Sequence, residues 1–237
     1  MKKGNCLRLN ILLILFFTFC SFLYAGRPLT TDDSGTVEKG KFELEIGYDF
    51  TKNNDKAKNY EIGISLKYGI TDWMDLGISA PFIIKESDLK VNEWGRIEIG
   101  TKFSILKESE KIPGISFTIS GTPRSNEGDT EFSLNSIISK NFGKTTWHLN
   151  LGTYSQKTSS GSEYFFTYST AFEYTFTEKL NLVGEIVGEN NEEKPLEILF
   201  GLNYVINDYI VYDIGFSKGL NNDAFDWRIT IGFTFNW

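Results

Sequence analysis

Cysteine, histidine and long apolar runs are the scarcities that shape the reading of this 237-residue chain. Both cysteines, Cys6 and Cys20, fall within residues 1–25, MKKGNCLRLNILLILFFTFCSFLYA. That stretch is organised as a secretory signal, with Lys2, Lys3 and Arg8 as a basic start, Leu9 to Tyr24 as an apolar run and Ala25 as a small residue at the cut. Leu23 stands where a second small residue is usual, and Thr18-Phe19 before Cys20 does not form a lipoprotein box. Export of the Sec type is therefore expected. The chain from 26 onward has no cysteine, which excludes disulfides, thiol catalysis and thiolate-bound metal. Loss of the leader's three bases leaves 21 basic residues against 31 acidic ones, a charge of −10, which excludes nucleic acid as a partner. Beyond residue 25 charges interrupt every stretch approaching the ~20 apolar residues that a membrane helix needs. Hydropathy alone thus describes a soluble, acidic, secreted protein.

Alternation describes something else. From residue 41 onward side chains switch character with the period of two that marks β-strands. Phe42, Leu44, Ile46, Tyr48 and Phe50 oppose Glu43, Glu45, Gly47 and Asp49; near the end Trp227, Ile229, Ile231, Phe233, Phe235 and Trp237 oppose Arg228, Thr230, Gly232, Thr234 and Asn236. Marking each such run predicts twelve strands, at 41–51, 59–70, 74–84, 94–106, 114–122, 129–142, 145–155, 163–176, 179–189, 195–206, 209–219 and 226–237. They are longer than the ~5–6 residues usual in soluble sheets and match the ~9–11 of a tilted membrane strand. Connections alternate too. Those at 52–58, 85–93, 123–128, 156–162, 190–194 and 220–225 are polar and long, whereas 71–73, 143–144, 177–178 and 207–208 are tight, with 107–113 as the one exception. Short turns at one end and longer loops at the other characterise an outer-membrane barrel.

Charge placement sharpens this. In the assigned strands the polar face carries fifteen acids and six bases, and the apolar face carries only Lys140 and Lys218, both near strand ends. Twelve long strands with apolar faces and no helices to cover them are accommodated by a ring in lipid, where every backbone group is paired and no edge remains. The expected architecture is all-β, a closed antiparallel transmembrane barrel of about twelve strands in an up-and-down meander. Its segments would be a signal at 1–25, a periplasmic segment or plug at 26–40, and the barrel at 41–237. Tyr48, Phe50, Tyr60, Trp73, Phe142, Trp147, Phe176, Tyr204 and Trp237 lie toward strand ends, where interfacial girdles sit. The last residues, Thr230-Ile231-Gly232-Phe233-Thr234-Phe235-Asn236-Trp237, resemble the terminal signal read by the barrel-assembly machinery, with Gly232, Phe235 and Trp237 as its candidate residues. Assembly machinery and outer-membrane lipid are then expected partners.

Chemistry has few candidates. His148 shares a face with Asn150, and the nearest same-face hydroxyl in its own strand is that of Thr146, so the nucleophile and base of a lipid hydrolase are not apparent. One histidine with scattered carboxylates has no metal-ligand spacing, and neither metal nor cofactor is expected. The inward charges remain: Glu43, Glu45, Asp49, Lys67, Arg96, Glu98, Lys102, Glu173, Glu185, Asp213 and Arg228 are the candidate lumen-lining residues. Two readings of them stand open. They pair off and fill the lumen as a polar core, or some line a narrow path that favours cations and neutral polar solutes. Residues 26–40 lack alternation. They are either a periplasmic tail or, through the compact stretch Arg27-Pro28-Leu29-Thr30-Thr31-Asp32-Asp33, a plug with Arg27, Asp32 and Asp33 as its polar contacts.

Three stretches carry a family resemblance: RPLTTDDSGTVEKGKFELEIG (27–47), Tyr68-Gly69-Ile70-Thr71-Asp72 leading to Leu76-Gly77-Ile78, and Gly95-Arg96-Ile97-Glu98-Ile99-Gly100-Thr101-Lys102-Phe103. They resemble a family of outer-membrane barrels labelled for the MetA pathway of phenol degradation and described as transporters. Arg96 replaces the Asp expected after Gly95, and Gly121-Thr122-Pro123-Arg124 follows the family's turn only in part. The resemblance implies a barrel for uptake of small molecules, hydrophobic ones among them, without catalytic residues. The expected function is a passive channel. The alternatives are an outer-membrane lipid hydrolase and a non-conducting structural or adhesive barrel.

Overall fold

The computed structural model describes residues 26–87, 89–124, 130–158 and 161–237, so the leader assigned to residues 1–25 lies outside the described residues. The chain forms β1 (Phe42–Lys52), β2 (Lys58–Thr71), β3 (Met74–Glu86), β4 (Leu89–Trp94), β5 (Glu98–Leu106), β6 (Gly114–Thr122), β7 (Glu131–Phe142), β8 (Thr145–Thr158), β9 (Gly161–Thr175), β10 (Leu180–Glu189), β11 (Leu196–Asn207), β12 (Ile210–Gly219) and β13 (Trp227–Asn236). Sequential antiparallel pairing carries the sheet from β1 round to β13, and β13 closes on β1 from Glu43↔Asn236 to Lys52↔Trp227. Twelve strand positions make up the ring, because β4 and β5 occupy one position, both paired to β3. Closure removes the edge that would otherwise expose unpaired backbone in lipid.

The split strand differs from the expected uninterrupted 94–106, and residues 89–94 form a strand where 85–93 was expected to be loop. Between the pairs Ser79↔Glu98 and Phe82↔Trp94, two residues of β3 face three of the opposing chain. One of the two is Pro81, which has no N–H to give to the ladder; Gly95 N donates to its carbonyl at 2.8 Å, and the extra residue is absorbed as a bulge. Beyond it β3 and β4 continue as a hairpin to Glu86↔Leu89. The connection expected at 156–162 also shrinks, since β8 and β9 stay paired out to Thr158↔Gly161. Its Ser/Thr-rich composition reads as loop, yet threonine suits a strand once a partner is alongside. Most of the connection expected at 123–128 lies outside the described residues.

The barrel is inside-out relative to a soluble domain. Among the described residues nineteen buried side chains are polar or charged and seven are apolar, so the interior is polar. The outer wall displays Leu76, Ile78, Phe172 and Phe200, exposed by 46, 46, 53 and 64%. Lys140 and Lys218, the two outward charges of the expected strands, sit at opposite ends and each reaches a carboxylate in a connection. Lys140 Nζ lies 2.9 Å from Glu108 and Lys218 Nζ 2.5 Å from Asp226. The exceptional 107–113 connection thus supplies the partner that a wall lysine needs. Asp226, also held by Lys52 at 2.9 Å, titrates below the usual carboxylate range because both lysines hydrogen-bond to it. Aromatic rings cluster at both ends of the seam, with Phe42 on Trp237 (5.5 Å) and Tyr68 (4.6 Å), and Phe50 on Tyr60 (4.8 Å) and Trp227 (5.0 Å).

Candidate functional site

Residues 26–37 occupy the lumen. The segment leaves it at the short-turn end, where Gly40 N donates to Gly69 O (2.8 Å) and Gly69 N to Lys41 O (3.0 Å). It lacks alternation because it is no part of the ladder; it is small and polar because its surroundings are the inward-facing side chains of the ring. Alternation places those side chains. On β10, Glu185 points inward between Gly184 and Ile186, and on β8, His148 and Asn150 share the inner face.

Side chains of the wall receive the segment's backbone. The Glu185 carboxylate accepts from Thr30 N (2.9 Å), Thr31 N (2.8 Å) and Thr31 Oγ1 (2.7 Å). Asn150 grips Asp32 at two points, accepting from its N–H (2.9 Å) and donating to its carbonyl (2.8 Å). Ser34 N donates to Ser139 Oγ (2.8 Å), Ser116 Oγ donates to Ser34 O (2.5 Å), and Val37 N donates to Asp75 (2.9 Å). Lys102 Nζ donates to Asp32 Oδ1 (2.7 Å) and Asp33 O (3.1 Å). Leu29 contributes the apolar contact, packing with Ala171, Val183 and Leu199. A buried N–H left unpaired costs about 1–3 kcal/mol, so these acceptors decide whether the segment can stay inside.

Arg27 anchors the far end. Its guanidinium lies 3.6 Å from both Asp49 and Asp213 and hydrogen-bonds to Thr230. It fits there because Gly47 and Gly232, paired across the β1–β13 seam, present no side chain; a Cβ on either would overlap the guanidinium. Gly232, a candidate assembly residue, therefore also has a packing role. Gly47→Leu is expected to expel Arg27 and leave two inward carboxylates without their cation. Lowered thermal stability of the detergent-folded barrel, with partial recovery in Gly47→Ala, would check this.

The other candidate lumen-lining bases have partners as well. Lys67 pairs with Glu43 (2.8 Å) and Glu45 (3.6 Å), Arg96 with Glu131 (2.5 Å), and Arg228 with Glu197 (3.4 Å) while lying 4.8 Å over the Phe225 ring. Glu98 faces the lumen beside Lys67 and Asn135, at a cavity of about 280 Å³. A second cavity of about 90 Å³ lies between the segment and Glu43, Glu45 and Lys67, and a third of about 340 Å³ opens at the long-loop end around Glu61, Glu197 and Arg228. Among the described residues no three His, Cys, Asp or Glu side chains converge as a metal site.

His148 gains partners that its own strand could not supply. Ser139, its register partner on β7, lies 2.8 Å from Nδ1, and Glu173 on β9 lies 3.0 Å from Nε2. This has the composition of a hydrolytic relay. Both Ser139 and His148 are fully buried, however, and Ser139 Oγ is engaged by the Ser34 N–H, so no carbonyl can approach it. The relay serves the segment: with Nε2–H donated to Glu173, Nδ1 accepts the hydrogen bond of the Ser139 hydroxyl, whose Oγ is left to accept from Ser34 N. Asn150, Ser139, Ser116 and Asp75 are functional contacts that motif reading missed; inward parity was their only signal in the sequence.

No family model and no curated protein matches the chain, so the likeness to the MetA-pathway family rests on the motifs themselves. Solved structures do match. The COG4313 outer membrane channel from Pseudomonas putida F1 superposes with a TM-score of 0.69 at 11% identity, over 88% of this chain and 100% of that one. KdgM porin, solved in complex with disordered oligogalacturonate, gives 0.62 at 10% identity over 81% and 98%. NanC porin gives 0.59 at 12% identity over 82% and 98%. At such identities the likeness is one of architecture, and the chain has the fold of an outer-membrane β-barrel.

Proposed function

We propose that the protein is a passive outer-membrane channel for small polar solutes, closed or narrowed by its own residues 26–37. One observation carries this reading: the lumen is occupied by a chain segment held mainly by hydrogen bonds to wall side chains, the class of contact that water can replace. A barrel serving only as scaffold or adhesin could fill its interior with fixed wall side chains, as eight-stranded barrels do. The fold shared with channels and porins supports the same conclusion and a place in the bacterial outer membrane. Export by the leader at 1–25, and recognition of Gly232, Phe235 and Trp237 by the assembly machinery, complete the proposal.

The lining favours polar cargo over the hydrophobic molecules that the family resemblance implies. Each candidate wall base has a carboxylate partner, and the acids exceed the bases, so the field along the path is negative. Rings of Asp and Glu select cations. The deciding measurement is the reversal potential in a planar bilayer under a salt gradient, expected to report cation preference in small, discrete current steps. Anion preference would reject the selectivity. Silence from both the intact protein and a variant lacking the segment would reject the channel. Heat-modifiable gel migration of the same sample establishes that the barrel is folded.

A further inference from the structure

Resting on the reading of residues 1–25 as a leader cut after Ala25, we propose that the α-ammonium released on Gly26 becomes a fixed part of the lumen, bound by the carboxylate of Glu45. In the cleavage a leader peptidase adds water across the Ala25–Gly26 amide. Ala25 leaves as the leader's carboxylate and Gly26 keeps its nitrogen, which takes up a proton. The inference is independent of whether the barrel conducts.

Three observations meet at Gly26. It lies inside the barrel, bordering the two inner cavities of about 90 and 280 Å³, with its carbonyl accepting from Leu29 N at 3.1 Å. Glu45 faces it from β1 with a side chain only 13% exposed, and the carboxylate's Oε1 accepts no hydrogen bond from any described residue. Its nearest cation, Lys67 Nζ, stands 3.6 Å away and gives its hydrogen bond to Glu43 at 2.8 Å. Finally, a Cβ built on Gly26 would fall 2.6 Å from that same Oε1.

The last distance separates two chemistries. Carbon at 2.6 Å from a carboxylate oxygen is a clash, whereas an ammonium nitrogen there is close to the 2.7–2.9 Å of a charge-assisted hydrogen bond. Once the amide to Ala25 is cut, rotation about the Gly26 Cα–C bond can carry the nitrogen into the position that a Cβ would take, because glycine has only hydrogens to exchange with it. Charge favours the move. Glu43, Glu45, Asp49 and Asp213 outnumber Lys67 and Arg27, the cations they pair with, at this end of the segment.

While Ala25 remains attached, the Gly26 nitrogen is a neutral amide with no charge to offer Glu45, so cleavage has to precede the ion pair.

The test begins with protein purified from outer membranes of expressing cells, read by intact mass and N-terminal sequencing. Gly26 is expected as the first residue, and any other start overturns the proposal. On the same folded protein, an aldehyde reagent selective for α-amines is expected to react at pH 8 at least about tenfold more slowly than with the heat-unfolded chain. Glu45→Gln should recover most of that rate and Glu98→Gln should not. A rate equal to that of the unfolded chain rejects the ion pair, and so does slow reaction persisting in Glu45→Gln, since burial alone would then explain it. If Glu45→Gln does not show heat-modifiable folding, Gly26→Ala replaces it: its methyl occupies the ammonium's place, and the amine is expected to react faster.

Discussion

A variant lacking residues 27–37 is expected to conduct several-fold more current per channel than the intact protein. The deletion removes the chain that crosses the lumen and leaves the ring ladders untouched, because the segment meets the wall almost entirely through side chains. Most of the groups it abandons, Glu185, Asn150, Ser139, Asp75 and Lys102 among them, can bind water, and the apolar contact it gives up is the small cluster of Leu29 with Ala171, Val183 and Leu199. Twelve strand positions lie between the eight that enclose a packed interior and the sixteen to eighteen that enclose an aqueous channel. In a barrel of that intermediate size an eleven-residue occupant decides the bore. Single-channel recording of intact and shortened proteins, each shown to be folded by heat-modifiable migration, is the measurement. Equal conductance would mean that current bypasses residues 27–37, and the plug reading would fail.

The ring was legible in the sequence because lipid imposes a rule at every wall position. Parity alone separates Leu44 and Ile46 from Glu43 and Glu45, and the seam they form with Phe235 and Phe233 follows from it. Lys140 and Lys218 broke that rule by parity and proved to be anchored at the wall's two ends by Glu108 and Asp226. The interruption at Gly95–Ile97 was not legible, since it depends on where Pro81 meets the neighbouring strand, a matter of register between chains rather than of either sequence alone. The same limit applied to His148. Within its own strand it has no hydroxyl neighbour of consequence, yet Ser139 stands opposite it across β7 and β8. Residues 26–40 were readable as something other than strand, but whether they lay in the lumen or hung below it rested on contacts with Glu185 and Asn150. No local spacing in Arg27-Pro28-Leu29-Thr30-Thr31 can encode such long-range pairing; Thr30 and Glu185 are 155 positions apart.

Glu185→Ala is expected to loosen the segment more than any other single wall substitution. The carboxylate accepts from two backbone N–H groups and a hydroxyl of Thr30 and Thr31, and alanine accepts from none. Each buried donor left unpaired costs about 1–3 kcal/mol. Part of that cost is offset, because removing Glu185 also relieves the desolvation of a buried charge, and water entering the gap can satisfy a donor. A net loss of about 1.5–3 kcal/mol corresponds to roughly a tenfold to hundredfold shift from seated toward released segment. Leu29 would still pack on Val183 and Leu199, and Asn150 would still grip Asp32, so release is expected to be intermittent. Single-channel records should therefore show frequent openings to the conductance of the 27–37 deletion, separated by closures to the intact level. Glu185→Gln, which keeps one acceptor oxygen, should open less often than Glu185→Ala. If Glu185→Ala matched the intact protein in both level and open fraction, the contacts at Thr30 and Thr31 would not be what holds the lumen closed.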